Sequence, residues 1–347
     1  MSIEIMNENR YSRQILFAPI GVAGQERLRN SRVAIVGMGA LGTVLSNHFV
    51  RAGVGFVRFI DRDFVEPSNL QRQMLYDEED ARQHLPKAIA AYEKLSKINS
   101  DVALEPIVAD VTAFHAEKYL SDVDLILDAT DNFQVRYLIN DVAVKHNIPW
   151  IYGGAVSATG TYTAIRPGET PCLRCLFPEA PKPGTTATCD TAGVIGPIIH
   201  VVASYQATEA FKILLQATNA YNPHLEHFDL WNNTHQQIKV LKAKRPDCPT
   251  CGQRKFEFLE TSPDDELATA LCGRDTVQLS PREAITLDLS QLAERLAPLG
   301  TVEQNRFLLR FHIDPYTLVI FPDGRVLVQN TDDIATARSL FAKFIGN

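Results

Sequence analysis

The chain has 347 residues, of which 45% are hydrophobic and 22% charged, a composition typical of a globular protein with room for one large domain and a smaller one. Its formal net charge of −7 argues against a nucleic-acid-binding protein but leaves small phosphate sites open. The first ten residues lack the apolar run of a secretory signal, and the most apolar stretch, Val194–Leu215, includes Glu209 and Lys212. We therefore expect a cytoplasmic protein that does not associate with membranes.

Short apolar runs alternate with helical patterns through the first half of the chain. This alternation predicts βαβ units and an α/β fold with a Rossmann-like, doubly wound, mostly parallel sheet. The predicted strands are Arg32–Val36, Phe56–Ile60, Ala103–Val108, Leu125–Asp128 and one that begins at Pro149–Tyr152. The helices between them are expected to end near Ala52, Asn99 and His146.

The last quarter of the chain differs in both pattern and charge. Residues 256–347 carry 8 Lys and Arg against 14 Asp and Glu, whereas the preceding 255 residues carry 26 against 27. Strands are predicted over Phe307–Ile313, Thr317–Phe321 and Val326–Gln329, followed by a helix to about Phe344. We therefore predict two domains, residues 8–255 and a small acidic α+β module over residues 268–347, whose expected role is docking or support of a dimer.

A glycine motif lies between the first strand and the helix after it. Gly37, Gly39 and Gly42 have the spacing GxGxxG, and Asp61 ends the next strand, 19 residues beyond Gly42. Glycines let the backbone approach phosphates at a helix N-terminus, and a carboxylate at Asp61 could accept a hydrogen bond from a ribose hydroxyl. A tight turn without ligand is the alternative. Taken alone, the motif would favour NAD.

Charged residues after Asp61 discriminate between nucleotides. Arg72 and Lys87 would offer positive charge to a polyphosphate, and Asp131, at the end of a strand, could hold Mg²⁺. A dinucleotide diphosphate needs no such cations, because backbone amides can satisfy it. Each of these residues alone could be a solvated surface side chain, but together at one edge of the sheet they favour ATP.

Five of the six cysteines are candidates for metal binding or catalysis. Cys172 and Cys175 form one CxxC pair, and Cys248 and Cys251 form a second, with 72 residues between the two pairs. This spacing predicts a structural Cys₄ Zn²⁺ site, with a redox pair or four free thiols as alternatives. Cys189 lies outside the pairs and is either a loop nucleophile or an inert free thiol.

Several motifs together resemble one family over residues 8–255. In chain order they are RYSRQ at residues 10–14, GMGALG, Asp61, NLQRQ, Lys87, Thr130-Asp131-Asn132, the CxxC pairs and TCDTAGVIGP. This ordered set resembles the ThiF/MoeB/HesA family, the bacterial relatives of ubiquitin-activating enzymes. The resemblance implies that Mg·ATP adenylates the C-terminal glycine of a ubiquitin-like sulfur-carrier protein ending in Gly-Gly, with release of pyrophosphate.

The resemblance also implies roles for individual residues. Asp61 would bind the ribose, and Asp131 would bind Mg²⁺. The nucleotide would further contact Asn69, Arg72, Lys87 and the glycines 37, 39 and 42. Arg13 would enter the active site of the other subunit, which implies a homodimer.

The resemblance does not determine which sulfur-carrier protein is the substrate. The acidic module is typical of the thiazole-synthesis branch, which favours a ThiS-like carrier, and a MoaD-like carrier is the alternative. In the thiazole branch the cysteine matching Cys189 can form a linkage to the activated carrier. Sulfur would come from a separate cysteine desulfurase or rhodanese. An NAD-dependent oxidoreductase and a non-catalytic carrier-binding scaffold remain as functions of other classes.

Overall fold

The structure is a computed structural model that describes residues 10–180, 189–260, 268–271, 275–281 and 285–346. The chain divides into two compact units, one formed by Met1–Pro181 and Ala192–Glu260, the other by Lys182–Thr191 and Thr261–Asn347. None of the helices in the described ranges is long and apolar enough to span a membrane.

The larger unit is built on an eight-stranded sheet with the order β3-β2-β1-β4-β5-β6-β7-β8. The first five strands of this sheet run parallel, and β6, β7 and β8 add antiparallel pairings. The mostly parallel α/β fold is therefore confirmed. In chain order the strands are β1 (Arg32–Val36), β2 (Phe56–Ile60), β3 (Ala103–Ile107), β4 (Leu125–Asp128), β5 (Trp150–Val156), β6 (Thr159–Ile165), β7 (His224–Asp229) and β8 (Thr234–Lys239).

Ten helices precede these strands in the chain or lie between them in the described residues, and Cys189–Thr191 of the ninth belong to the smaller unit. They are α1 (Ser12–Ile15), α2 (Gly21–Asn30), α3 (Ala40–Ala52), α4 (Glu78–Arg82), α5 (Lys87–Ile98), α6 (Ala113–Leu120), α7 (Phe133–His146), α8 (Leu173–Leu176), α9 (Cys189–Ala192) and α10 (Gly196–Leu214). Short 3₁₀ turns occupy Pro67–Asn69, Thr218–Ala220 and Leu241–Ala243.

The parallel strands are buried because helices cover them. Every residue of β4 is buried, as are four of the five in β1 and β2, which is the pattern of a sheet covered on both faces. Helices α3 and α10 pack together, with the rings of Phe49 and Phe211 5.1 Å apart. The strand order reverses at β1, which pairs with β2 on one side and β4 on the other. Ligands of open α/β sheets bind beyond the carboxyl ends of the strands at such a point.

The smaller unit contains a six-stranded antiparallel sheet with the order β11-β12-β13-β14-β10-β9. Its strands are β9 (Ala268–Leu271), β10 (Thr276–Leu279), β11 (Thr301–Gln304), β12 (Leu309–Ile313), β13 (Tyr316–Ile320) and β14 (Val326–Gln329). Helices α11 (Leu289–Leu296) and α12 (Ile334–Phe344) are capped at their N-termini by Asp288 and Asp333, whose carboxylates accept hydrogen bonds from first-turn amides. Phe344 of α12 packs on Phe311 of β12 with ring centroids 5.1 Å apart.

Candidate functional site: a nucleotide cleft and a four-cysteine cluster

The glycine motif forms the turn from β1 into α3, where the strand order reverses. Gly37 has a φ of +93°, and a Cβ there would lie 2.7 Å from the Ala129 carbonyl oxygen. A Cβ on Gly42 would overlap the carbonyl oxygen of Gly37, so neither position tolerates a side chain. Leaving aside its chain neighbours, the described part of the chain places only the Gln73 amide nitrogen, at 3.8 Å, within 4 Å of a Cβ built on Gly39. The backbone of Gly39 therefore borders open space that a ligand can fill.

Asp61 is fixed against this turn at the carboxyl end of β2. Its Oδ2 accepts a hydrogen bond from the Met38 amide at 2.6 Å, and its Oδ1 accepts one from the Asp63 amide at 2.7 Å. Burial raises the pKa of Asp61, while the nearby Lys87 ammonium and the two amides oppose the rise. A carboxylate has about four acceptor sites, so two remain for the hydroxyls of a sugar.

Lys87 begins α5 and is buried, with its Nζ 3.2 Å from Asp63 Oδ2. The hydroxyl of Tyr76 lies 2.7 Å from the Met38 carbonyl oxygen and 3.1 Å from that of Lys87. Burial raises the pKa of Tyr76 well above its ordinary value, so the phenol keeps its proton and can donate to either carbonyl. Tyr76 thus ties the glycine turn to the start of α5 and brings Lys87 to the cleft.

Asn69 and Arg72 lie on the segment between Asp61 and Lys87. Asn69 is buried at the end of a 3₁₀ turn, and its Oδ1 accepts a hydrogen bond from the Glu66 amide at 3.1 Å. Arg72 is half-buried and donates from Nη1 to the Ser68 carbonyl oxygen at 2.9 Å. A guanidinium carries five N–H donors, so this one bond orients the side chain and leaves donors for a phosphate.

Asp131 is exposed in the turn from β4 to α7, and a buried ion pair holds that turn. The guanidinium of Arg136 donates to Asp128 Oδ2 at 2.9 Å and to the carbonyl oxygens of Thr130 and Gly153 at 2.7 and 3.0 Å. Asp128 Oδ1 accepts from both the amide and the hydroxyl of Thr130 at 2.9 Å. Burial raises the pKa of Asp128, and Arg136 opposes that rise. The pair therefore fixes the backbone on which Asp131 sits.

The structure does not bring Arg13 to this cleft. It is exposed on α1, and the neighbouring Gln14 donates to the Ala52 carbonyl oxygen at 3.0 Å. Ala52 ends the 13-residue helix α3, whose other end is at the glycine turn. At about 1.5 Å per residue, this helix separates Gln14 from the glycine turn by about 20 Å. Arg13 thus lies near the amino ends of the parallel strands, whereas the cleft of its own chain lies at their carboxyl ends.

The two CxxC pairs form one cluster, as the spacing predicted. The sulfur atoms of Cys172, Cys175, Cys248 and Cys251 all lie within 4.8 Å of one another. Nearest distances are 3.6 Å from Cys172 to Cys248 and 3.4 Å from Cys175 to Cys251, too long for a disulfide. A tetrahedron with Zn–S bonds near 2.3 Å has sulfur–sulfur edges of about 3.8 Å. The donor set and its dimensions fit zinc.

Two adjacent residues of α7 anchor the two halves of this cluster. Asn140 Oδ1 accepts a hydrogen bond from the Leu173 amide, inside the first CxxC pair, at 2.8 Å. Asp141 accepts from the Thr250 hydroxyl, inside the second pair, at 3.0 Å and from the Phe258 amide at 3.1 Å. Both side chains are fully buried. The cluster is thus attached to the same helix that begins next to Asp131.

Cys189 begins the short helix α9, and its side chain lies outside the described residues, as does the preceding segment 181–188. The chain that follows is attached to the turn between β5 and β6. The Ser157 hydroxyl donates to the Ala192 carbonyl oxygen at 3.1 Å, and the Ser157 amide donates to the Gly193 carbonyl oxygen at 2.8 Å. These bonds fix the last residue of α9 and the residue that follows it.

Sequence reasoning proposed groups that could contact a ligand and missed those that support them. The supports are buried polar side chains: Tyr76, Asp128, Arg136, Asn140 and Asp141. A usable signal existed for some of them, because Asp128 ends an otherwise apolar strand and Asn140 and Asp141 lie in the middle of a helix. Their partners are distant in sequence, so the pairing itself left no local pattern.

The chain is similar to several known proteins. Residues 11–250 match the ThiF family. The chain is 45% identical to the sulfur carrier protein ThiS adenylyltransferase of Bacillus subtilis, over 97% of this chain and 99% of that protein. It is 38% identical to the SAMP-activating enzyme E1 of Haloferax volcanii, over 75% of this chain and 94% of that protein.

A solved structure shares the fold. The crystal structure of E. coli MccB with ATP superposes with a TM-score of 0.59 at 24% identity, covering 70% of this chain and 74% of that one. At this identity the likeness concerns the fold alone. The family match covers more than half of the chain, and the Bacillus relative matches nearly all of it. The chain belongs to the ThiF family.

Proposed function

We propose that this protein is an ATP-dependent adenylyltransferase that activates the C-terminal glycine carboxylate of a ThiS-like sulfur-carrier protein. The observation that carries the proposal is the convergence of Asp61, Lys87 and the Asp131 turn on the glycine turn at the β1/β4 crevice. Arg72 and Lys87 supply positive charge that suits a polyphosphate, whereas backbone amides alone can satisfy a dinucleotide diphosphate. The match to a ThiS adenylyltransferase along almost its whole length supports the same activity and the same carrier class.

The proposed reaction needs few catalytic groups. The carrier carboxylate attacks the α-phosphorus of ATP, the bond to the β-phosphate oxygen breaks, and pyrophosphate leaves. Arg72 and Lys87 would stabilise negative charge on the phosphate oxygens, and Asp61 would hold the ribose. Positioning and electrostatic stabilisation supply most of the rate, and the attacking carboxylate is already ionised, so no general base is required.

Two metal ions belong to the proposal. Asp131, exposed at the end of β4, would hold Mg²⁺, which would neutralise phosphate charge. The cluster of Cys172, Cys175, Cys248 and Cys251 would hold a structural Zn²⁺ with no open position for chemistry.

We propose a homodimer in which Arg13 serves the partner subunit. Its position about 20 Å from the glycine turn along α3 supports this assignment, because the side chain cannot reach the cleft of its own chain. Residues 8–255 would form the adenylation domain, and residues 268–347 would form a separate acidic module.

The step after adenylation would involve Cys189. We propose that this thiol attacks the acyl-adenylate and forms a linkage to the carrier, with AMP as the leaving group. A separate cysteine desulfurase or rhodanese would supply the sulfur.

Carrier-dependent ATP–pyrophosphate exchange tests the proposal, with ThiS-like and MoaD-like proteins compared side by side. We expect exchange with the ThiS-like carrier and its loss in Arg72→Ala, with unchanged thermal unfolding. Exchange only with the MoaD-like carrier would correct the substrate. Full exchange in Arg72→Ala would refute the residue assignment. Tight binding of NAD with no effect of ATP would instead indicate an NAD-dependent oxidoreductase. Binding of ATP without formation of any acyl-adenylate would indicate a non-catalytic carrier-binding scaffold.

A further inference from the structure

Strand β5 contains two consecutive glycines, Gly153 and Gly154, although glycine weakens a strand. The fold explains the first, since a Cβ on Gly153 would lie 2.2 Å from the buried Gln206 amide nitrogen. It does not explain the second, because a Cβ on Gly154 would make only ordinary contacts, none closer than 3.4 Å. A glycine inside a strand often marks the close approach of a ligand or of another backbone. Gly154 is half-buried, so such a group can reach it.

The hydroxyl of Tyr152 borders the same space. It lies 3.4 Å from the Cβ position of Gly154, and Arg136 Nη2 lies 3.5 Å from that position. The Tyr152 ring is held in place, with the Arg136 guanidinium 5.0 Å from its centroid and the Phe177 ring 6.1 Å away. The residue is only 6% exposed, yet within the described ranges no hydrogen bond involves its hydroxyl. Burial raises the pKa of Tyr152, so the phenol keeps its proton and is available as a donor.

This donor lies beside the turn that carries Asp131. Arg136 Nη2, its neighbour, donates to the carbonyl oxygens of Thr130, which precedes Asp131, and of Gly153. In the proposed reaction the ribose lies at Asp61, on the β2 side of the crevice, which leaves the β5 side for the carrier. The last three residues of β5 are half-buried, so an extended chain without side chains, such as Gly-Gly, can lie against them.

We propose that Tyr152 is a carrier-binding residue whose hydroxyl donates a hydrogen bond to a backbone carbonyl oxygen of the carrier's C-terminal Gly-Gly, with that backbone lying over Gly154. This inference rests on the proposed function and assigns a residue that holds the carrier next to its reacting carboxylate. Glycine loses more conformational freedom on becoming ordered than any other residue. A directional hydrogen bond close to the carboxylate therefore contributes to catalysis by positioning.

Three variants test the inference. Tyr152→Phe removes the hydroxyl and keeps the ring, and Gly154→Ala places a methyl group in the space proposed for the carrier. Tyr162→Phe is the matched control: this tyrosine is also buried, its hydroxyl accepts a hydrogen bond from Asn222 at 2.9 Å, and it pairs with Gly153 and so lies on the other face of the sheet from Tyr152.

Each variant is examined by ATP–pyrophosphate exchange at varied carrier concentration, by calorimetry with Mg·ATP alone, and by thermal unfolding. We expect Tyr152→Phe to lower kcat/KM for the carrier about tenfold, the loss typical of one hydrogen bond in a buried site. Its affinity for Mg·ATP and its unfolding temperature should equal those of the wild type, because the hydroxyl serves neither the nucleotide nor the fold. Gly154→Ala should show the same pattern, and Tyr162→Phe should keep the wild-type kcat/KM.

An unchanged kcat/KM for the carrier in Tyr152→Phe would overturn this inference and leave the proposed function standing, since exchange by the wild type is measured in the same assay. A structural role for Tyr152 predicts a lower unfolding temperature together with weaker binding of Mg·ATP, and that result would also overturn the inference. Absence of exchange by the wild type with either carrier would refute the proposed function and the inference with it.

Discussion

The buried pair of Asp128 and Arg136 gives the sharpest test of how the cleft is supported. Arg136→Met keeps the length of the side chain but removes three hydrogen bonds and the positive charge beside a fully buried carboxylate. Loss of one partner of a buried ion pair typically costs about 3–5 kcal/mol, because the other charge stays buried without compensation. For a unit of this size, that corresponds to a fall in unfolding temperature of roughly 6–20 °C.

The loss should depend on pH with a definite sign. Burial raises the pKa of Asp128 above its unfolded value, and Arg136 opposes this rise, so the pKa increases further in Arg136→Met. A carboxyl whose pKa is raised on folding favours the folded state at low pH, and that contribution is lost as pH rises through the folded pKa. We therefore expect the deficit of Arg136→Met relative to the wild type to be larger at pH about 8 than at pH about 5.5.

Thermal unfolding at both pH values provides the measurement, and the double variant Asp128→Asn, Arg136→Met is the control. The asparagine is neutral and still offers an acceptor to Thr130, so the double variant should be more stable than Arg136→Met alone. Both variants should also lower exchange activity, because Arg136 holds the Thr130 carbonyl next to Asp131. A pH-independent deficit of less than about 1 kcal/mol would refute the reasoning, since it would mean that the pair carries no buried charge.

Three further outcomes are expected. Elemental analysis should find one Zn²⁺ per chain in the wild type and well under one equivalent in Cys248→Ser; a full equivalent in that variant would contradict the four-cysteine site. Gly42→Ala should lose both stability and ATP binding, because its Cβ would overlap the backbone of Gly37. Gly39→Ala should unfold at the normal temperature but bind ATP weakly in calorimetry, because its Cβ would enter the space proposed for the ligand. Mixing inactive Arg13→Ala with inactive Arg72→Ala should restore part of the exchange activity if mixed dimers form, and no recovery would argue that Arg13 does not act across subunits.

The sequence was sufficient for the parallel part of the sheet. Strands β1, β2 and β4 begin and end where the pattern predicted, because each is a short apolar run buried on both faces. Strand β8 could not be predicted in this way. Its six residues, Thr234–Lys239, are all exposed and follow no apolar alternation, so the strand exists through its pairing with β7.

The same division applies to the site. The cysteine cluster was predictable because the CxxC spacing itself encodes the geometry of two thiolates on one metal. The anchor from Asp141 to Thr250 spans 109 residues, so no local sequence pattern reveals it.

The cleft therefore consists of two layers with different physical roles. Residues available to a ligand, such as Arg72 and Asp131, lie in turns and are at least partly exposed. The glycine turn and the Asp131 turn are each fixed from beneath by a buried polar group that contacts backbone rather than ligand: Tyr76 holds Met38, and Arg136 holds Thr130. Catalysis by positioning requires such support, because a misplacement of about 1 Å can remove most of the rate advantage. Substitutions in the upper layer should thus change ATP affinity or rate at constant stability, whereas substitutions in the lower layer should change both together.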